Sequence, residues 1–197
     1  MSKLIKILVL AVFIAPGIFA QGPEAVFDEN GVARELMLDE QIRTIQLYRE
    51  GWINSYPILT MQEQVPLVLE FDELSDNISV FSYMVLHCDA DWRRSELTEQ
   101  EYIQGYLENQ VNDVEGSFNT YTNYHHYRLE LPNDNIRFTE SGNHLLVVYR
   151  DYDPEQVVFT RRFLVSEAIV TIQANAHRPV LTLYRDNSHE VDVTVYH

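Results

Sequence analysis

Residues 87–92 read His-Cys-Asp-Ala-Asp-Trp. In an extended strand alternate side chains share a face, so His87, Asp89 and Asp91 would project together at about 7 Å spacing. One nitrogen and two oxygen donors suit zinc, manganese or iron. A second reading competes: the strand ends at Asp89, the two carboxylates accept hydrogen bonds from the following loop or from Arg93 and Arg94, and Trp92 plugs the edge of the core. Three ligands from one short segment, with no fourth in sight, favour the second.

Other residues invite chemistry less directly. Tyr121, Tyr124 and Tyr127 surround the pair His125-His126, a composition that fits a sugar-stacking platform, with Trp52 as a further ring, or an interface hot spot. It equally fits a strand with Tyr124 and Tyr127 on opposite faces, because strands enrich aromatic residues. The carboxylate pairs Asp89 with Asp91 and Glu99 with Glu101 could serve a glycosidase, but among 30 acidic residues such pairs arise by chance. No G-x-S-x-G nucleophile elbow is present. Arg161-Arg162 could clamp a carboxylate; the simpler expectation is one solvated arginine and one paired with an acidic neighbour.

The elements that must position these residues begin after a leader. Lys3 and Lys6 precede an apolar run from Ile7 to Ala15, then Pro16-Gly17 and Ala20. This is the pattern of a secretory signal peptide over 1–20, and the run is too short to span a bilayer. The mature chain is therefore expected to be soluble and outside the cytoplasm. Residues 21–39 are polar and irregular, the pattern of a flexible arm. Lys3 and Lys6 are the only lysines, so cleavage leaves twelve arginines against 30 acidic residues, a formal charge of about −18. Such a chain is repelled by phosphate backbones and anionic lipid surfaces, which argues against nucleic-acid binding and membrane insertion. Without lysine, Schiff-base chemistry and Walker-type phosphate binding are excluded. Cys88 is the single cysteine; inside an apolar run it reads as a buried small hydrophobe, the alternative being a disulfide with a partner.

From Ile42 onward short alternating runs predict strands at Ile42 to Tyr48, Leu67 to Phe71, Val80 to Cys88, Tyr124 to Leu131, His144 to Arg150, Val157 to Val165, Ile169 to Gln173 and Val191 to Tyr196. Both alternating sets of Phe81 to Cys88 are largely apolar, the mark of a central strand covered on both sides. Turn residues fall between the runs, Ser141-Gly142-Asn143 among them. Within the excursion from Arg93 to Asn123, Thr98 and Glu101 have capping-box spacing, predicting a helix of about two turns ended by Gly105. The expected fold is an all-β, immunoglobulin-like antiparallel β-sandwich with one long loop carrying a short helix.

Several of these stretches together resemble a known family. Ser55-Tyr56-Pro57-Ile58, Leu67 to Leu74, Tyr83, His87 to Trp92, Glu101-Tyr102, Gly105-Tyr106, Ser117 to Thr120, Tyr124, Tyr127, Leu131-Pro132-Asn133, Ser141-Gly142-Asn143 and Thr160 to Phe163 occur in the order found in the N-terminal domain of the type IX secretion system plug protein. The resemblance spans about Ile42 to Glu167. It implies a non-enzymatic periplasmic β-sandwich of Bacteroidota-type bacteria, without cofactor or metal, whose partner is the outer-membrane translocon barrel that it seals until cargo arrives. It also implies that His87, Cys88, Asp89, Asp91, Trp92, Gly142, Asn143, Arg161, Arg162 and Phe163 are a structural signature, which turns the His-Cys-Asp-Ala-Asp-Trp stretch towards its structural reading. Trp92, Arg93, Arg94 and Tyr102 on the long excursion are the candidate partner contacts, since interfaces enrich Trp, Tyr and Arg. The expected domains are 40–167 for the sandwich and 168–197 for the start of a second, truncated domain.

Overall fold

The computed structural model describes residues 24–196; the expected signal peptide lies outside the described residues. In chain order the strands are β1 (Ile42–Arg49), β2 (Ile58–Thr60), β3 (Leu67–Glu73), β4 (Phe81–Cys88), β5 (Ile103–Gly105), β6 (Glu108–Gln110), β7 (Asp113–Gly116), β8 (His125–Leu131), β9 (Ile136–Phe138), β10 (Gly142–Arg150), β11 (Val157–Ser166), β12 (Thr171–His177) and β13 (Glu190–Tyr196). A helix of one turn, α1 (Glu99–Tyr102), precedes β5.

Two sheets form the sandwich, one ordered β1-β3-β8-β7 and the other β2-β11-β10-β4-β6. These are the A-B-E-D and G-F-C orders of an immunoglobulin-type fold, the second sheet carrying an added strand at each edge. The expected all-β sandwich is therefore present, with one departure: β2 runs parallel to β11, Ile58 opposite Leu164. The short strands β2, β5, β6, β7 and β9 have three or four residues each, too few to show a period; β2, β6 and β7 pair with longer strands and β5 pairs with β9, so local pattern does not announce them.

Alternation decides where each side chain goes. Phe81, Tyr83 and Val85 of β4 enter the core between the sheets, with Leu69 and Phe71 of β3, Tyr127 and Leu129 of β8, and Phe159 and Phe163 of β11. The other face of β4, Met84, Leu86 and Cys88, joins Leu145, Val147 and Tyr149 of β10 in a second cluster on the outside of the five-stranded sheet. That face would meet water without a cover. Residues 24–39 supply one, and this corrects the expected free arm: Val26 and Ala33 are fully buried against it. Backbone bonds pin the segment, Ala33 N–H to the Trp92 carbonyl at 2.8 Å and Leu38 N–H to the Val158 carbonyl at 2.8 Å. The Leu36 N–H donates to Thr160 Oγ1 at 2.8 Å. Polar composition hid a segment in which Val26, Ala33 and Leu36 turn inward while Met37 and Leu38 stay exposed.

The helix begins where expected, the Thr98 N–H and hydroxyl both donating to Glu101 Oε2 at 2.7 and 2.8 Å. It ends sooner, because Ile103 is already extended and paired with Phe138. Gly105 is therefore no helix stop. It sits at φ +126° in β5, where a Cβ would lie 2.0 Å from the Asn135 carbonyl oxygen, so the residue permits β5 to approach the β8–β9 connection.

One buried polar network ties the two sheets. Glu73, 1 % exposed at the end of β3, accepts from Arg150 Nη2 at 2.8 Å and from Ser79 Oγ at 2.7 Å. Arg150, at the end of β10, also holds Asp39 through Nε and Nη2 at 3.0 and 2.7 Å, with its guanidinium 4.8 Å from the Phe81 ring centre. Past Ser166 the strands β12 and β13 pair only with each other. Ile172, Val191, Val193 and Val195 on this hairpin are exposed.

Candidate interaction surface

The register defines two ends of the sandwich. Glu73, Phe81, His125 and Arg150 mark one; Leu67, Cys88, Leu131 and Asn143 mark the other. The His87 to Trp92 stretch lies at the Cys88 end, and its strand stops at Cys88. Asp89 to Trp92 is a turn closed by the Trp92 N–H on the Asp89 carbonyl at 3.0 Å, with Trp92 at φ +63°. Asp89 Oδ1 accepts from the backbone N–H groups of Asp91 and Arg93, both at 2.9 Å, and Asn143 Nδ2 donates to the Asp89 carbonyl at 2.8 Å. Asp91 faces Arg93 at 3.4 Å in solvent. The fan of three ligands does not form, because the turn takes both carboxylates off the strand face.

His87 points inward instead. Its Nε2 lies 3.2 Å from the Ser141 carbonyl, and its ring is edge-on to His144, 4.9 Å between centres. His144 is fully buried among Phe138, Phe163 and Tyr102. Burial, with His87 beside it, pushes its pKa down from 6.5 to about 3. The sign follows directly. An unfolded chain takes up this proton near pH 6.5 and the folded chain only near pH 3, so lowering the pH between those values removes stability. One proton corresponds to about 1.4 kcal/mol per pH unit. His144→Phe is expected to flatten the acid limb of the stability profile by about that slope, measured by urea unfolding at successive pH values; parallel profiles would contradict it. Cys88, 1 % exposed, is equally inert: burial and the neighbouring Asp89 push its thiol up to about 11, far from a reactive thiolate.

Of the four candidate contacts, Arg93 and Arg94 are exposed and Trp92 is half-buried. Arg162 covers one face of the Trp92 ring at 4.5 Å. Tyr102 is 3 % exposed, its hydroxyl donating to the Val85 carbonyl at 3.2 Å. As a partner contact it is therefore corrected: the one-turn helix delivers its ring into the core. Beside Arg94 opens a cleft of about 990 Å³, lined by the carboxylates of Asp28, Glu29, Glu96 and Glu99. Arg161 and Arg162 also differ from expectation. Both are half-buried and, among the described residues, neither reaches a carboxylate through its side chain: Arg161 Nη1 donates to the Thr160 carbonyl at 2.8 Å, and Arg162 Nη2 donates to the Ala33 carbonyl. Burial holds the Arg161 pKa below its usual value.

A family model described as the type 9 secretion system plug protein 1st domain matches residues 42–167. The chain belongs to this family. A crystal structure of a hypothetical protein from Parabacteroides merdae ATCC 43184 is 32 % identical with a TM-score of 0.73, covering 82 % of this chain and 41 % of that one. The plug-family chain thus spans less than half the length of that relative. A DNA-bound alkylpurine DNA glycosylase AlkC from Pseudomonas fluorescens gives a TM-score of only 0.32 at 9 % identity, over 64 % of this chain and 30 % of that one, and carries no argument. No curated protein matches.

Of the residues expected to form a signature, His87, Cys88, Asp89, Trp92, Gly142, Asn143, Arg162 and Phe163 lie close together. Register sets Cys88 opposite Asn143, and His144 between His87 and Phe163. A Cβ on Gly142, at φ +135°, would lie 2.8 Å from His87 Nε2. With the Asp89 turn and the Arg162 cover on Trp92, the set builds one end of the plug domain. The aromatic residues considered for sugar stacking separate: Trp52 follows β1 at the Cys88 end, while Tyr121 and Tyr124 precede β8 at the Glu73 end. The length of β3 separates them, six residue steps from Leu67 to Glu73 or about 20 Å, so no platform forms. Tyr127 stacks on Phe71 inside the core, 4.9 Å between centres. Among the described residues, metal-capable side chains do gather as His177, Glu190 and Asp192 within 4.8 Å on the terminal hairpin. No motif connects them, since the pairing of β12 with β13 makes them neighbours.

Proposed function

We propose that this protein is a non-enzymatic, periplasmic interaction protein that seals the periplasmic mouth of the type IX translocon barrel while no cargo occupies it. The match of residues 42–167 to the plug family is the observation that carries this. A rigid sandwich suits occlusion: its inter-sheet core is continuous, and its outer sheet face is covered by residues 24–39. Release requires a differential affinity, the domain binding the empty barrel more tightly than the cargo-loaded one. Trp92, Arg93 and Arg94 remain the proposed contacts at the Cys88 end. Export by the leader over 1–20 and a domain boundary near 167 belong to the same proposal; the independence of the β12–β13 hairpin supports the boundary.

The test is affinity purification of the tagged protein from its own envelope, with quantitative mass spectrometry of co-purifying proteins. Near-equal recovery of a translocon barrel, reduced when cargo is overproduced, is expected. A barrel recovered equally well by beads without the protein would remove the basis for occlusion.

A further inference from the structure

We propose that the β7–β8 loop, residues 117–124, is a preformed docking knob whose Phe118 and Tyr121 enter an apolar pocket on the translocon barrel. This rests on the function proposed above and goes beyond it in assigning a second contact, at the Glu73 end, opposite Trp92, Arg93 and Arg94.

Phe118 is 93 % exposed and Tyr121 is 108 % exposed, so both rings stand clear of the protein. Scattered apolar residues on a surface need no explanation, but these two share one ordered loop. Gly116 and His125 pair at its base. The Ser117 N–H donates to the Tyr124 carbonyl at 2.8 Å, and the Tyr124 N–H returns to Ser117 Oγ at 3.0 Å. Thr120 Oγ1 donates to the Thr122 carbonyl at 2.9 Å, and Asn119 turns the chain at φ +57°. Asn123 Nδ2 donates to Asp76 Oδ1 at 2.9 Å, tying the loop to the β3–β4 turn. Little backbone entropy is left to lose when such a loop binds, and aromatic anchors on pre-ordered loops make efficient hot spots.

Charge selects the class of partner. Residues 112–127 contain no lysine or arginine, and Asp76 and Glu115 flank the knob, while Arg128 lies opposite Asp113 further along the strand pair. Interfacial membrane segments pair apolar rings with basic residues; here the surroundings repel an anionic leaflet. A protein pocket with an apolar floor and a basic rim complements both features.

The experiment compares wild type, the double variant Phe118→Ala/Tyr121→Ala and Tyr56→Ala, each as the full chain purified from its own envelope, with the barrel quantified per bait. Tyr56 is 85 % exposed and lies on the β1–β2 connection away from the knob. The double variant is expected to unfold at the wild-type temperature, because neither ring is packed. Its recovery of barrel should fall at least about tenfold, the scale of lost anchor residues, while Tyr56→Ala stays at the wild-type level. Undiminished recovery by the double variant overturns the knob and leaves occlusion standing. No barrel with wild type overturns occlusion and the knob with it. Co-flotation of wild type with phosphatidylglycerol vesicles, lost in the double variant, would replace the protein pocket by lipid.

Discussion

Arg150→Ala is expected to destabilise the protein by about 3–5 kcal/mol, the range for breaking a buried ion pair from one side. The magnitude comes from what stays behind. Glu73 is 1 % exposed and would keep Ser79 and the more distant Tyr127 hydroxyl as partners, but no cation. Asp39 would lose both bonds that anchor the N-terminal cover to the end of β10. Burial works against the Asp39 carboxylate, yet the Gln41 N–H and Arg150 hold its pKa below the usual value, so the wild-type charge is stabilised there. Urea unfolding measures the effect as a lower midpoint at unchanged slope. Adding Glu73→Leu to Arg150→Met should restore part of the loss, since an apolar pair can replace a buried ionic one. An unchanged midpoint in Arg150→Ala would mean that Glu73 finds another partner.

Phe71→Ala should cost a similar amount, about 3–5 kcal/mol, through a cavity rather than a charge. The Phe71 ring is fully buried between the sheets. It stacks on Tyr127 at 4.9 Å and meets Phe81 and Phe159 edge-on at 5.2 and 5.1 Å. With one cysteine, Cys88, the chain has no intrachain disulfide to join its sheets, and this aromatic cluster takes that place between β3, β4, β8 and β11. The surrounding rings are held by strands on both sheets and relax little into the vacated space. Chemical denaturation of Phe71→Ala beside Phe71→Leu separates the contributions: leucine should recover much of the loss, and equal losses would point to a specific aromatic geometry.

What was legible in advance follows from the range of each signal. The longer strands were visible because alternation is a property of residues two apart, and β4 announced its two covered faces by being apolar at every position but Ser82 and His87. The first turn of α1 was visible in Thr98 and Glu101, three residues apart. The membership of a secretion plug family was visible as an ordered set of short stretches. The docked segment 24–39 was not, because its apolar residues acquire meaning only once β4 and β10 present a face to cover. Tyr102 was misplaced for a related reason: a helix of one turn has no periodicity to show which side is inside.

By itself the sequence determined an acidic chain, the sandwich class, the family and the major strands. Only the tertiary structure decided which residues meet across long stretches of chain. Arg150 reaches Glu73 over 77 positions and Ala33 accepts from Arg162 over 129, and no local pattern encodes such pairs. It also decided that Phe118 and Tyr121 stand outside while Tyr127, of the same aromatic cluster, lies inside. Pairing register assigns faces and ends, and register is a relation between strands rather than a property of any one of them.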